Sequence, residues 1–253
     1  MREPVDEPVH EPVEDPVERF RAALARRSGA AGPRALPDAL AAACRDALPV
    51  HGVVLSVVSR GQWRLPVGAS DRRAAAAERW QYALGQGPAF RAGAEDVPVV
   101  VGAAELRGAW PLLHDQLHRH TPYRSLAALP LERGPARGGV VDLCFRGARP
   151  PAAFDAAGAQ RVAALVAAEL FGAPGAPVQA GEPAWMDAPT ARRRQRVWMV
   201  VSMARRVLGV DAADALALLR ARAYAGDRVL EDLADDVVEG RVPLADLRVP
   251  AED

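Results

Sequence analysis

The stretch GAPGAPVQAGEPAWMDAP at 172–189 most constrains what this chain can fold into. Proline and glycine at this density leave no run long enough for a helix, so the segment reads as a semi-stiff linker. It divides a long N-terminal part, where helical and strand spacings alternate, from a short C-terminal part with helical spacing alone.

Within 17–171 the pattern is mixed. Val17, Phe20 and Leu24, then Leu36, Leu40, Cys44 and Leu48, recur at helical spacing. GVVLSVVS (52–59) and QWRLPVGA (62–69) are β-rich runs separated by the turn signal Arg60-Gly61. Asp71 is placed to cap a helix running to Tyr82, which ends in the glycine-rich LGQGP (84–88). A strand at 97–101, a helix at 111–120, strands at 124–131 and 139–145, and a helix at 154–171 complete the unit. Hairpin strands followed by flanking helices imply an α+β fold on an antiparallel sheet.

Residues 1–16 form a low-complexity arm. An acidic-Pro-Val unit recurs at Glu3-Pro4-Val5, Glu7-Pro8-Val9, Glu11-Pro12-Val13 and Asp15-Pro16-Val17. Proline at every fourth residue removes helix donors and pushes each preceding residue towards extended geometry. The arm therefore reads as extended and disordered, either a solvated leader or an acidic decoy for a basic surface elsewhere in the chain.

The C-terminal part reads as three short helices at 190–242, followed by a tail at 243–253. Helix one, about 190–208, has apolar Val197, Val200, Val201, Ala204 and Leu208, and carries Arg192, Arg193, Arg194, Arg196, Arg205 and Arg206 with no acid among them. Helix two follows the cap Asp211, with Ala215, Leu216, Leu219 and Ala223 on its buried stripe and Arg220, Arg222 and Tyr224 outside it. Helix three, about 229–239, buries Leu230, Leu233, Ala234, Val237 and Val238 and is expected to expose Glu231, Asp232, Asp235, Asp236 and Glu239.

Composition narrows the chemistry. The formal net charge of the 253 residues is zero, so a polyanion would have to be held by a local patch. Lysine is absent, which excludes Schiff-base and phosphate-loop lysines. Cys44 and Cys144 sit in apolar surroundings and read as buried thiols of a reducing compartment. No apolar run approaches eighteen residues and no leader pattern opens the chain, so a cytoplasmic protein without a membrane span is expected. His114 and His118 lie one helical turn apart near His120, but no metalloenzyme signature accompanies them. With no nucleophile elbow or phosphate loop either, no metal, cofactor or enzymatic activity is expected.

The order of WQYALGQGPAFRA (80–92), Trp110-Pro111, SLAALPL (125–131), GGVVDLCF (138–145) and Phe154-Asp155 resembles a GAF domain of bacterial regulators. Many relatives carry cysteine where this chain has Ala89, so thiol chemistry there is lost. The resemblance implies a small-molecule pocket between sheet and helices, for which Trp80, Tyr82, Phe90, Trp110 and Tyr123 are the candidate aromatic lining. Met203, LGV (208–210), DALALLRARAYA (214–225) and LEDLADDVV (230–238) resemble the ANTAR domain, an RNA-binding antitermination module. Relatives commonly have Gln-Ala-x-Gly where this chain has Met199-Val200-Val201-Ser202.

The two resemblances together imply a homodimeric regulator in which a GAF-like sensor controls an ANTAR-like bundle that holds RNA hairpins of nascent transcripts. The candidate RNA-binding residues are Arg192, Arg193, Arg194, Arg196, Arg205, Arg206, Arg220, Arg222 and Tyr224. Arginine both forks to phosphate and stacks on unpaired bases. A third helix that is acidic would repel DNA, so major-groove docking is disfavoured and the acidic face is expected to point away from nucleic acid. The alternative is a dimeric GAF ligand sensor or protein-interaction scaffold without RNA binding.

Overall fold

The structure is a computed structural model and describes residues 15–28, 32–59, 63–133, 136–172 and 183–247. The acidic arm before Asp15 and the Arg60-Gly61 turn lie outside the described residues. So does 173–182, most of the proline- and glycine-rich stretch.

Strands β1 (Gly52–Ser59), β2 (Trp63–Ala69), β3 (Val99–Val101), β4 (Ser125–Arg133) and β5 (Ala136–Phe145) form one antiparallel sheet in the order β2-β1-β5-β4-β3. Its strands are apolar on both sides because both faces are covered. Val53, Leu55 and Val57 of β1 join Leu65, Leu129, Val141 and Leu143 in a core beneath α1 (Pro16–Ser28), α2 (Leu36–Ala47) and α7 (Ala156–Phe171). The alternate residues, among them Leu126, Ala128, Val140 and Cys144, face α3 (Arg72–Leu84), α4 (Pro88–Glu95), α5 (Ala103–Ala109) and α6 (Pro111–His120).

Local chemistry explains the helix ends. The Asp71 carboxylate accepts from the amides of Arg73 and Ala74, and Gly85 ends α3 at φ 67°. Gly87 at φ 133° then turns the chain so that Pro88 can start α4. Helices α4 and α5 are additions to the sequence reading: each is too short for a clear 3.6-residue period. The strand expected at 97–101 forms only at Val99–Val101.

The C-terminal helices are α8 (Pro189–Leu208), α9 (Ala212–Ala225) and α10 (Leu230–Val238). The stretch before them is not wholly free of helix. Ala184–Asp187 forms a 3-10 turn that buries Trp185, and Trp185 and Ala191 join the core under α1, α2 and α7. Further along, Val197, Val200, Val201 and Ala204 of α8 pack with Ala215, Leu219, Leu230, Leu233 and Val237, in a cluster that also contains Ala77, Tyr82 and Ala83 of α3. The bundle is thus packed onto the sheet unit, with half-buried Trp198 touching both cores.

Among the described residues no helix is long and apolar enough to cross a membrane. Both cysteines are free and buried, and burial pushes both thiols up from their ordinary range.

Candidate functional site

Arg194 leaves the first half of α8 towards the sheet unit and has no exposed surface. All three of its guanidinium nitrogens are hydrogen-bonded. Nε donates to Glu231 Oε1 at 2.7 Å, and Nη2 reaches both Glu78 Oε2 at 2.8 Å and Glu231 Oε1 at 2.6 Å. Nη1 donates to the Arg64 carbonyl at 3.1 Å and to Glu78 Oε1 at 3.3 Å. The guanidinium lies over the Tyr82 ring, 3.4 Å from its centroid. Burial works against this charge, but Glu231 and Glu78 outweigh it and hold the pKa above its ordinary value.

Around this centre the contacts continue. Tyr82 accepts a hydrogen bond at its hydroxyl from Trp198 Nε1 at 3.1 Å, and Arg220 Nε donates to the Tyr82 carbonyl at 3.2 Å. Desolvation raises the Tyr82 phenol. On the sheet side Arg64 Nη2 reaches Asp142 Oδ2 at 3.3 Å while its guanidinium covers the Phe90 ring. Gln81 joins Asp142 to the amide of Ala89 at the start of α4. Desolvation pushes the Asp142 carboxyl up to about 6, against the lowering effect of Arg64. Glu78, Gln81, Glu231, Arg64 and Asp142 are the residues that sequence reasoning missed.

The arginines of α8 divide into two groups. Arg193 pairs with Asp232 at 2.7 Å and Asp235 at 2.8 Å, and Arg196 pairs with Asp235 at 2.8 Å. These partners draw the Asp235 carboxyl below its usual range despite its desolvation. The acidic face of α10 therefore does not point away from the α8 arginines. Asp232 and Asp235 neutralise them, Glu231 is buried on Arg194, and Asp236 pairs with Arg228 and Arg241. The reason is geometric: α8 and α10 pack side by side, and a one-signed stripe on each attracts the other.

Arg194 and Arg220 are accordingly held at the junction, and Arg192 lies 3.7 Å from Asp187. Arg205, Arg206 and Arg222 are exposed and form no ion pair among the described residues. The ring of Tyr224 is exposed on α9.

The five candidate pocket aromatics belong to one core cluster, and each has its own neighbours. Tyr82 is engaged at the bundle, Trp80 stacks on His120 at 4.8 Å, Phe90 lies under Arg64, and Tyr123 is buried against Gly52. Trp110 is half-buried between α5 and α6. His114 and His118 stack at 5.7 Å beside an open depression shared with Arg107, Asp115 and Arg119. No group of three or more potential metal ligands occurs among the described residues. A second tie between sheet unit and bundle is made by Asp227, which Arg119 and His120 both reach at 3.2 Å.

No family model and no curated relative matches the chain. Solved structures do. It is similar to the GAF domain from a phosphoenolpyruvate-protein phosphotransferase of Coxiella burnetii, with 15% identity over 62% of this chain and 92% of that one and a TM-score of 0.45. It is also similar to free methionine-R-sulfoxide reductase from Neisseria meningitidis, with 18% identity over 63% and 93% of the two chains and a TM-score of 0.42. A third similarity is to the chromophore-binding domain of a Stigmatella aurantiaca bacteriophytochrome, with 13% identity over 66% and 64% and a TM-score of 0.44.

Two outcomes follow from the junction. Arg194→Met strands two buried carboxylates, so denaturant unfolding should show a loss of about 3–5 kcal/mol. Adding Glu78→Gln and Glu231→Gln should recover part of it. A loss under about 1 kcal/mol, the size of an exposed pair, would contradict the buried geometry.

Asp142 binds its proton more tightly in the folded chain than in the unfolded one, where its pKa is about 4. Its contribution to stability is therefore complete below about pH 4 and lost as pH rises through about 6. Relative to Asp142→Asn, the parent should lose stability across that window in denaturant titrations. Parallel curves for the two proteins would contradict the assignment.

Proposed function

We propose that this chain is an RNA-binding regulator of transcription antitermination, in which a GAF-like sensor domain controls an ANTAR-like three-helix output domain. The observation that carries the reading is the set of exposed cations on α8 and α9 that no acid neutralises among the described residues. Once Arg193, Arg194 and Arg196 are neutralised by α10, Arg205, Arg206 and Arg222 remain without an ion pair among the described residues, and Tyr224 offers a ring on α9. Phosphate neutralisation by arginine, with aromatic stacking on unpaired bases, is how single-stranded loops of RNA hairpins are held.

The control path in this reading is α3. The helix lies against the sheet that a small-molecule ligand would bind, and it carries Glu78 and Tyr82 into the bundle. A ligand shifts the bundle only to the extent that it favours one arrangement of α3 over another. Two copies, as a homodimer, would present two bundles to paired hairpins in a nascent transcript and keep a terminator from forming. The chain acts by binding, in the cytoplasm, without catalysis or a cofactor. The second reading, a ligand sensor or protein-interaction scaffold without RNA binding, draws on the depth at which Arg194 fixes the bundle to the sensor unit.

Sequencing RNA crosslinked to the protein in cells separates the two, and hairpins from transcript leaders are expected. In vitro, Arg205→Gln, Arg206→Gln and Arg222→Gln together should weaken RNA binding and flatten its salt dependence by roughly 0.7–0.9 log units per lost phosphate contact. Parent-like affinity and slope, with no RNA recovered from cells, would support the scaffold instead.

A further inference from the structure

The exposed face of α8 is unusual for a packed bundle. Arg192, Arg196, Met199, Met203, Arg206 and Val207 follow one another at spacings of four, three, four, three and one, so they share one side of the helix. The three apolar members are 46%, 39% and 51% exposed. No described element covers them, and every charged residue on this face is an arginine. Asp235 holds Arg196 and Asp187 stands near Arg192, whereas Arg206 has no ion-pair partner among the described residues.

We infer that the acidic Pro-Val arm at the N-terminus docks along this face of α8, its valines on the Met199, Met203 and Val207 stripe and its carboxylates on Arg206 and the neighbouring arginines. Three observations point to this occupant. The first is charge: residues 1–14 contain five acids, Glu3, Asp6, Glu7, Glu11 and Glu14, against the single Arg2. A second copy of α8 laid on the same face would instead bring arginine onto arginine.

The second is period. A proline-spaced chain in polyproline geometry advances about 12 Å over four residues, the interval between Val5, Val9 and Val13. Met199 and Val207 stand about 12 Å apart along the α8 axis. The valine interval thus matches the length of the stripe, and Asp6 and Glu7 lie between Val5 and Val9.

The third is reach. Fourteen residues in that geometry span up to about 43 Å, which is on the order of the diameter of a compact chain of this length. The arm is anchored where Asp15 pairs with Arg161 of α7, and α7 shares its core with Ala191 in the first turn of α8. It therefore leaves the fold on the face of the sheet against which Ala191 is also packed.

Docking itself is independent of what the bundle binds. Its consequence rests on the proposed RNA face: Arg206 belongs to both surfaces, so a docked arm excludes RNA until it is displaced.

The test uses the full chain without RNA. A nitroxide is placed on Val9→Cys, which the buried Cys44 and Cys144 leave as the reactive thiol, and the methyl groups of Met1, Met186, Met199 and Met203 are isotopically labelled. Strong broadening of Met199 and Met203, exceeding that of Met186, is expected. It should be relieved when the five acids of the arm are changed to glutamine. Unbroadened Met199 and Met203 would overturn the inference, as would broadening that survives the glutamine arm. Broadening found only when nitroxide and methyl labels sit on different molecules would show a second copy on this face and overturn it as well. Because RNA is absent, failure here leaves the RNA-binding reading standing, and failure of RNA binding leaves this result intact.

Discussion

A fully desolvated arginine is the constraint on which the rest of the arrangement depends. Removing a guanidinium from water costs several kcal/mol, and that cost is offset only when every donor finds an acceptor and the charge finds counter-charges. Every nitrogen of the Arg194 guanidinium is hydrogen-bonded and its charge is met by two carboxylates, with groups from β2, α3 and α10 taking part at once. None of those elements can leave singly without stranding a charge. The joint between sheet unit and bundle is therefore closer to all-or-none than a purely apolar contact of similar size, which could slide or loosen by degrees.

Charge sorting extends from that centre. Arg64, Arg194 and Arg220 at the junction are matched in number by Glu78, Asp142 and Glu231, and the next arginines outward are taken by Asp232 and Asp235. In a chain of zero net charge, Arg205 and Arg206 at the C-terminal end of α8 are left exposed and without an ion-pair partner among the described residues. Position, rather than total charge, is what gives a neutral protein an anion-binding surface.

Much of the architecture is legible in the sequence because it rests on short-range rules. Asp71, Asp211 and Gly209 mark helix ends through capping and left-handed backbone, and the β-rich apolar runs at 52–59 and 139–145 pair as strands. Helices α4 and α5 are too short to develop a period. The junction is not legible for a different reason: Arg194 lies 116 residues from Glu78 and 37 from Glu231. By spacing it falls among exposed arginines, and only the packed fold distinguishes it from Arg193 and Arg196. The partner of Tyr82 is hidden in the same way. Tyr82 reads as pocket lining, yet its ring supports a cation delivered from the other end of the chain.

The central claim, that Arg194 makes the bundle and the sheet unit one cooperative body, is tested most directly by native-state hydrogen exchange of the unmodified protein. Amides in the middle of α8 and α10 should open with nearly the same free energy as those of α3 and β1, and with the same dependence on denaturant. Exchange of the bundle at a distinctly lower free energy, while α3 and the sheet stay fully protected, would mean that the bundle unfolds or detaches on its own and would contradict the claim.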